Sequence, residues 1–238
     1  MKKVFISIFI MAVLCAGVFA AAAKRPNLEP IESEIYSFED GIFEYTNLPQ
    51  FEMMAIACRI AGIEGFGWNY NGGYAYLDQI DAMKDKYKNH KLIKLLQAAN
   101  KKGVTNGGFA NLAYFVKPDF SGTTCDLDPK PANLNWEWQK VSGKEIYAIV
   151  SALHDFAAET PFMRFRNLYR ADYITSIQAT NDWVNKYKVK EWYKDFFGYE
   201  MPVTINYSAI VVGNTFYDFT TGEDGKEKYY VTTFTNAY

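Results

Sequence analysis

The sequence predicts an α+β protein, mainly helical, with about six helices followed by a C-terminal β-hairpin or small antiparallel sheet. Three observations carry this. Apolar residues recur at helical spacing between Phe51 and Phe197, helix entrance and stop signals bracket the runs, and after Gly198 the period drops to two. The 238 residues are 49% hydrophobic, 17% aromatic and 22% charged, which supports a core without disulfide staples and excludes disordered, collagenous and coiled-coil classes. With 25 Lys+Arg against 27 Asp+Glu, net −2, the chain lacks the positive footprint of a nucleic-acid binder.

Residues 35–38 and 42–46 flank Asp40-Gly41 and predict a hairpin. Asn47-Leu48-Pro49 is a helix entrance and Gly62 its stop. The helix between them, 51–61, is apolar nearly all round, broken by Glu52 and Arg59, and belongs at the centre of the core. A second helix covers 75–86, a third carries Leu92, Leu95, Leu96 and Ala99, and a short fourth spans 109–116 before a Pro- and Asp-containing loop at 118–135. Lysines 84, 86, 88, 91, 94, 101 and 102 read as solvated helix faces rather than an anion patch.

Ser142-Gly143-Lys144-Glu145 is a capping box opening a helix whose Ile146, Ile149, Val150, Leu153 and Ala157 share one face. Thr160-Pro161 restarts the chain as N-cap and N1, with Phe162, Phe165, Tyr169 and Tyr173 as a stripe. Trp183, Tyr187, Trp192, Phe196 and Phe197 mark a further helical stretch, and these stripes are expected in the core. Val203, Ile205, Tyr207, Ala209 and Val211 alternate with Thr204, Asn206 and Ser208 as a half-buried strand. Gly222–Gly225 turns the chain into a second strand at 229–235, which as the last element is expected to leave an open edge.

The first 23 residues read as a cleaved secretory signal: basic Met1-Lys2-Lys3, an apolar run over 4–20, and small residues before Lys24. Residues 24–238 then form a single domain, exported to the periplasm or beyond, with no permanent membrane span. Loss of Lys2 and Lys3 takes the charge from −2 to −4. The mature chain keeps Cys58 and Cys125, open to a disulfide, although Cys58 sits in an apolar segment and behaves as a small buried hydrophobe.

No catalytic fingerprint emerges. H-E-x-x-H, which lets two histidines on one helical face grip a zinc ion while the Glu activates water, is absent from the sequence. In His154-Asp155-Phe156-Ala157-Ala158-Glu159 the offset of five residues turns Glu159 about 140° from His154. His154 therefore reads as a helical histidine, partly buried or on the surface, and His90, between Asn89 and Lys91, as a helix-start residue. A nucleophile elbow, a P-loop and a dinucleotide fingerprint are likewise missing from the sequence. The aromatic, Asn-rich segments 68–74 (WNYNGGY) and 135–138 (NWEW) offer rings on which sugars stack, a weak glycan-binding signal. No catalytic, cofactor-binding or metal-ligating residue is assigned.

Four segments carry a resemblance: FEMMAIACRIAGIEGF (51–66), YKNHKLIKLLQAANKKGV (87–104), LHDFAAETPFMRFRNLYRADY (153–173), and WYKDFFGY with INYSAIVVGNTF (192–216). They resemble a secreted bacterial domain-of-unknown-function family of zincin-like zinc metallopeptidases, over most of the mature chain. The resemblance implies the N-terminal part of a zincin-like domain. In the family a VGN-containing strand and its partner precede a helix bearing H-E-F-x-H, and zinc there activates a water molecule. No position here matches that helix, so no ligand is carried over and no cofactor is expected in this chain. The resemblance leads to the expectation of an incomplete domain, inactive alone. The rival expectation is a non-catalytic secreted binding or structural module.

Overall fold

In the computed structural model the described residues are 35–37, 43–67, 74–198, 203–211, 215–221 and 225–233. Residues 1–23, residues 68–73 and the Val212-Gly213-Asn214 triplet lie outside them.

Helix α1 (Pro49–Ala61) is the axis of the core, as its all-round apolarity predicts. Pro49 fits the first turn, where no backbone N–H is needed. Gly62 adopts φ 77°, so that its N–H reaches Arg59 O and the Ile63 N–H reaches Cys58 O. Every residue from Pro49 to Cys58 is buried. Around α1 pack α2 (Ala75–Tyr87), α3 (Lys91–Lys101) and α4 (Asn106–Phe115). The seven lysines of this region are all exposed, as solvated faces.

A short 3₁₀ turn (Trp136–Lys140) leads to α5 (Gly143–Glu159). Its capping box is formed: the Glu145 N–H donates to Ser142 Oγ at 3.3 Å and the Ser142 N–H to Glu145 Oε2 at 3.0 Å. Ile146, Ile149, Leu153 and Phe156 are all 1% exposed or less, so the face read from the sequence is the one buried.

Helices α6 (Phe162–Leu168), α7 (Arg170–Lys186) and α8 (Val189–Phe197) follow. The chain breaks at Tyr169 and again at Lys188, whose φ is 48°. Thr160 departs from its expected role. Its hydroxyl donates back to Phe156 O at 2.6 Å and closes α5, leaving Pro161 at the N-cap of α6.

The strands form one five-stranded mixed sheet in the order β1-β2-β3-β5-β4. The hairpin predicted near residue 40 is present as β1 (Ile35–Ser37) and β2 (Phe43–Thr46), antiparallel. β2 then pairs in parallel with β3 (Val203–Tyr207), Phe43 opposite Val203, and β3 in parallel with β5 (Glu227–Thr233). A C-terminal antiparallel pair also exists, but its first strand is β4 (Phe216–Thr221), missed in the sequence, and the turn expected at 222–225 falls mostly outside the described residues. The expectation of an open edge at the last strand is corrected: β5 is interior, between β3 and β4, and β1 and β4 are the edges.

The sheet's two faces divide unexpectedly. Thr46, Thr204, Asn206, Asp218 and Thr232 lie on the face packed against α1 and α4, while Val203, Ile205, Tyr207, Tyr217, Phe219 and Tyr229 share the other. Helix α7 lies against β3 on this second side, with Thr180 beside Tyr207, whereas Tyr217 at the β4 edge is 76% exposed. β3 is thus buried on both faces rather than on its apolar face alone.

Candidate functional site

Glu52, one of the two residues that interrupt the apolar pattern of α1, is wholly buried. Three hydroxyls converge on its carboxyl group: Tyr76 and Ser208 donate at short range and Tyr173 donates at 3.3 Å. Burial pushes the Glu52 pKa up; the Ser208 and Tyr76 donors, the Arg166 charge and Tyr173 oppose the rise without cancelling it. Burial also drives both phenols well above the usual tyrosine range, so they stay protonated and keep donating. This sealed group ties α1 to α2, α7 and the end of β3, an anchoring role rather than a reacting one.

A second network joins it along the carboxyl ends of β2, β3 and β5. Arg166 of α6 donates through Nε to Asn47 Oδ1 and through its Nη2 to Asn47 O at 2.7 Å. Asn47 Nδ2 donates to Tyr207 O. Asn206 accepts the Leu48 N–H at 2.7 Å and donates to Thr232 Oγ1 at 3.0 Å, and Thr232 meets the Tyr114 hydroxyl. Asn111 then reaches Asp218 Oδ1 at 2.7 Å and Asn133 O at 3.2 Å, while its own Oδ1 accepts the Asn135 N–H at 2.8 Å. Asn206, Thr232 and Asp218 thereby meet the helical core with hydrogen bonds made inside the protein, beside Phe216 and Tyr230 of the same face, which pack on Phe51, Phe66 and Tyr114, while the buried Thr46 hydroxyl has no partner among the described residues.

Asp218 is the partly exposed acid of this seam. Burial raises its pKa to about 6, against the pull of the Asn111 amide and the Phe219 N–H. In register with it across the sheet lie Tyr230, Thr204 and Glu44. The backbones of Asp218 and Glu44 are three strand spacings apart, about 14 Å.

The sequence candidates fall as follows. His90 Nδ1 accepts the Leu92 N–H at 3.1 Å as the N-cap of α3, the expected helix-start role, and its Nε2 lies 3.5 Å from Glu159. His154 is 6% exposed and reaches Asp155 at 3.3 Å, so Glu159 and His154 engage different partners. Cys58 and Cys125 are both free thiols, Cys58 buried and its pKa pushed well up by that burial. Among the described residues no group of three or more His, Cys, Asp and Glu side chains is placed to hold a metal ion.

The Asn-rich aromatic segment at 135–138 is mostly structural. Trp138 is buried with its indole N–H on Gly108 O at 2.9 Å, and Glu137 accepts the Thr105 N–H at 2.7 Å and the Gly108 N–H at 3.2 Å. Glu137 thus caps α4 from a distant part of the chain, complementing its N-terminal dipole. Trp136 alone of this segment's rings faces solvent.

The aromatic stripe of α7 and α8 is where the sequence expectation fails most. Trp183, Tyr187, Trp192, Phe196 and Phe197 are 45–69% exposed instead of buried in the core. The rings pack on one another, Trp183 on Tyr187 at 5.3 Å and Trp192 on Phe196 at 5.4 Å. Helical spacing shows that an apolar face exists; it does not say that something covers it.

No family model matches the chain, and no curated protein or solved structure matches it. Among the described residues no helix is long and apolar enough to cross a membrane.

Proposed function

We propose that the chain is an exported, non-catalytic binding protein that engages its target through the aromatic face of α7 and α8. The carrying observation is the clustering of five exposed aromatic side chains within residues 183–197. Contiguous exposed rings of this kind mark interaction surfaces more often than they decorate a free one. Export follows from the leader pattern at residues 1–23. The perturbed acids Glu52 and Asp218 serve the fold, being held by the same side chains that join sheet to helices. The glycan-stacking role expected of residues 135–138 narrows to Trp136, since Trp138 is buried.

The experiment compares the mature chain with a Trp192→Ala/Phe196→Ala variant for retention by isolated cell envelopes. Retention of the parent and release of the variant, at equal far-UV circular dichroism, is the expected result. Equal partition of the two proteins refutes the reading.

The second reading is the framework of a zincin-like metallopeptidase. It rests on the four segments that carry the resemblance. α1, α3, α5 and α6 lie in or against one core: α1 packs on α3, α5 and α6, and α3 on α5. Translating the genomic DNA past the Tyr238 codon tests it: an in-frame H-E-x-x-H supports it, and a stop codon followed by unrelated sequence refutes it.

A further inference from the structure

Helix α8 combines three properties that together specify a kind of partner. Its apolar residues Val189, Trp192, Tyr193, Phe196 and Phe197 recur at offsets of three and four and form one stripe. Around the helix, by the 3.6-residue period, Lys190 borders the stripe but is buried, Lys194 and Asp195 lie at like angles on its two sides, and Glu191 falls opposite it. The stripe is built of Trp, Tyr and Phe, with Val189 its single aliphatic member, and continues into Trp183 and Tyr187 at the end of α7. Rings with a polar handle suit a boundary that is apolar on one side and wet on the other.

Charge points the same way. From residue 183 to 198 the exposed charges are Lys186, Lys188 and Lys194 against Glu191 and Asp195, a local net of +1 in a protein whose total is −2, with Lys190 buried. Lys186, Lys188 and Lys194 are exposed beside the rings. A protein partner of ordinary composition needs no such flanking cations. An anionic headgroup layer does, because lysine stems lie along the apolar boundary while their ammonium groups reach phosphate.

We propose that α8 and the end of α7 form a membrane-surface anchor that lies in the interface of an anionic lipid leaflet, rings down and lysines toward the headgroups, without spanning it. The proposal rests on the reading of this face as the binding surface and names its partner.

The test uses the chain from Lys24 onward, which contains every described residue and lacks the apolar leader that would itself enter lipid. It is sedimented with vesicles of phosphatidylcholine alone and of phosphatidylcholine with phosphatidylglycerol. The expected result is binding to the anionic vesicles with a blue shift of tryptophan emission. Partition falls at least about tenfold for Trp192→Ala/Phe196→Ala and severalfold for Lys186→Glu/Lys188→Glu or in high salt. Vesicle binding unchanged in both variants overturns the proposal. So does absence of vesicle binding: if envelopes still retain the parent chain, the lipid assignment falls while the binding surface stands. If the parent chain instead dimerises through Trp192 and Phe196 and ignores vesicles, the partner is a second copy and the lipid anchor is refuted.

Discussion

Replacing Asp218 by Asn isolates the electrostatic cost of the seam between sheet and helices. The amide keeps an oxygen for the Asn111 Nδ2 and Phe219 N–H donors and loses only the charge. Burial lifts the Asp218 pKa from an ordinary 3.8 to about 6. Because the folded state holds its proton more tightly than the unfolded chain, the carboxyl costs nothing below about pH 4. The cost grows through pH 4–6 and is complete above about pH 6. A shift of this size corresponds to about 3 kcal/mol at most. The side chain is partly open to water, so solvent screening reduces the expected figure to about 1–1.5 kcal/mol. Urea unfolding of both proteins at about pH 4 and about pH 7.5 gives the double difference. The Asn variant should gain stability relative to the parent as pH rises. A difference that stays flat, or that reverses sign, refutes the account of Asp218 as a buried charge held at a cost.

The other predictions concern packing and capping. Ile149→Ala or Leu153→Ala should cost about 2–5 kcal/mol in chemical unfolding, since both side chains are buried in α5. His154→Ala, which removes a buried but weakly bonded ring, should cost less than Leu153→Ala. Glu137→Ala strips α4 of the acceptor for two backbone N–H groups and should cost about 1–2 kcal/mol, read as a lowered Tm.

Local chemistry made α1 and α5 legible. All-round apolarity, a proline at the entrance and a glycine at the exit describe α1 without reference to any distant residue, and the Ser142–Glu145 box opens α5 in the same way. The hydroxyls around Glu52 arrive from residues 24, 121 and 156 positions away, which no local pattern encodes. The capping of α4 by Glu137 was hidden for the same reason.

Strand β4 reads FYDFTT, with apolar residues on both alternating positions, so no single face stood out. In β3 the period identified the residues that share a face but not which face meets the helices. Helices cover both: α7 lies on the Tyr207 side, and on the other Asn206 bonds Leu48 and Thr232 while Thr232 meets Tyr114. The rings of α7 and α8 were misplaced on the same logic in reverse, periodic yet uncovered.

The parallel pairing of β2 with β3 sets a constraint on how the molecule is made. Thr204 and Glu44 are bonded neighbours separated by 160 positions of chain. At ordinary synthesis rates the earlier strand waits roughly 10–30 s for its partner to leave the ribosome. Until then the helices can assemble around α1, but the sheet cannot close. Non-local strand pairing of this kind is slow to form and leaves β-edges uncovered meanwhile. Assembly should therefore proceed in two stages, a fast helical collapse and a slower closure, and the interval between them is when the chain is most open to a chaperone or to premature association.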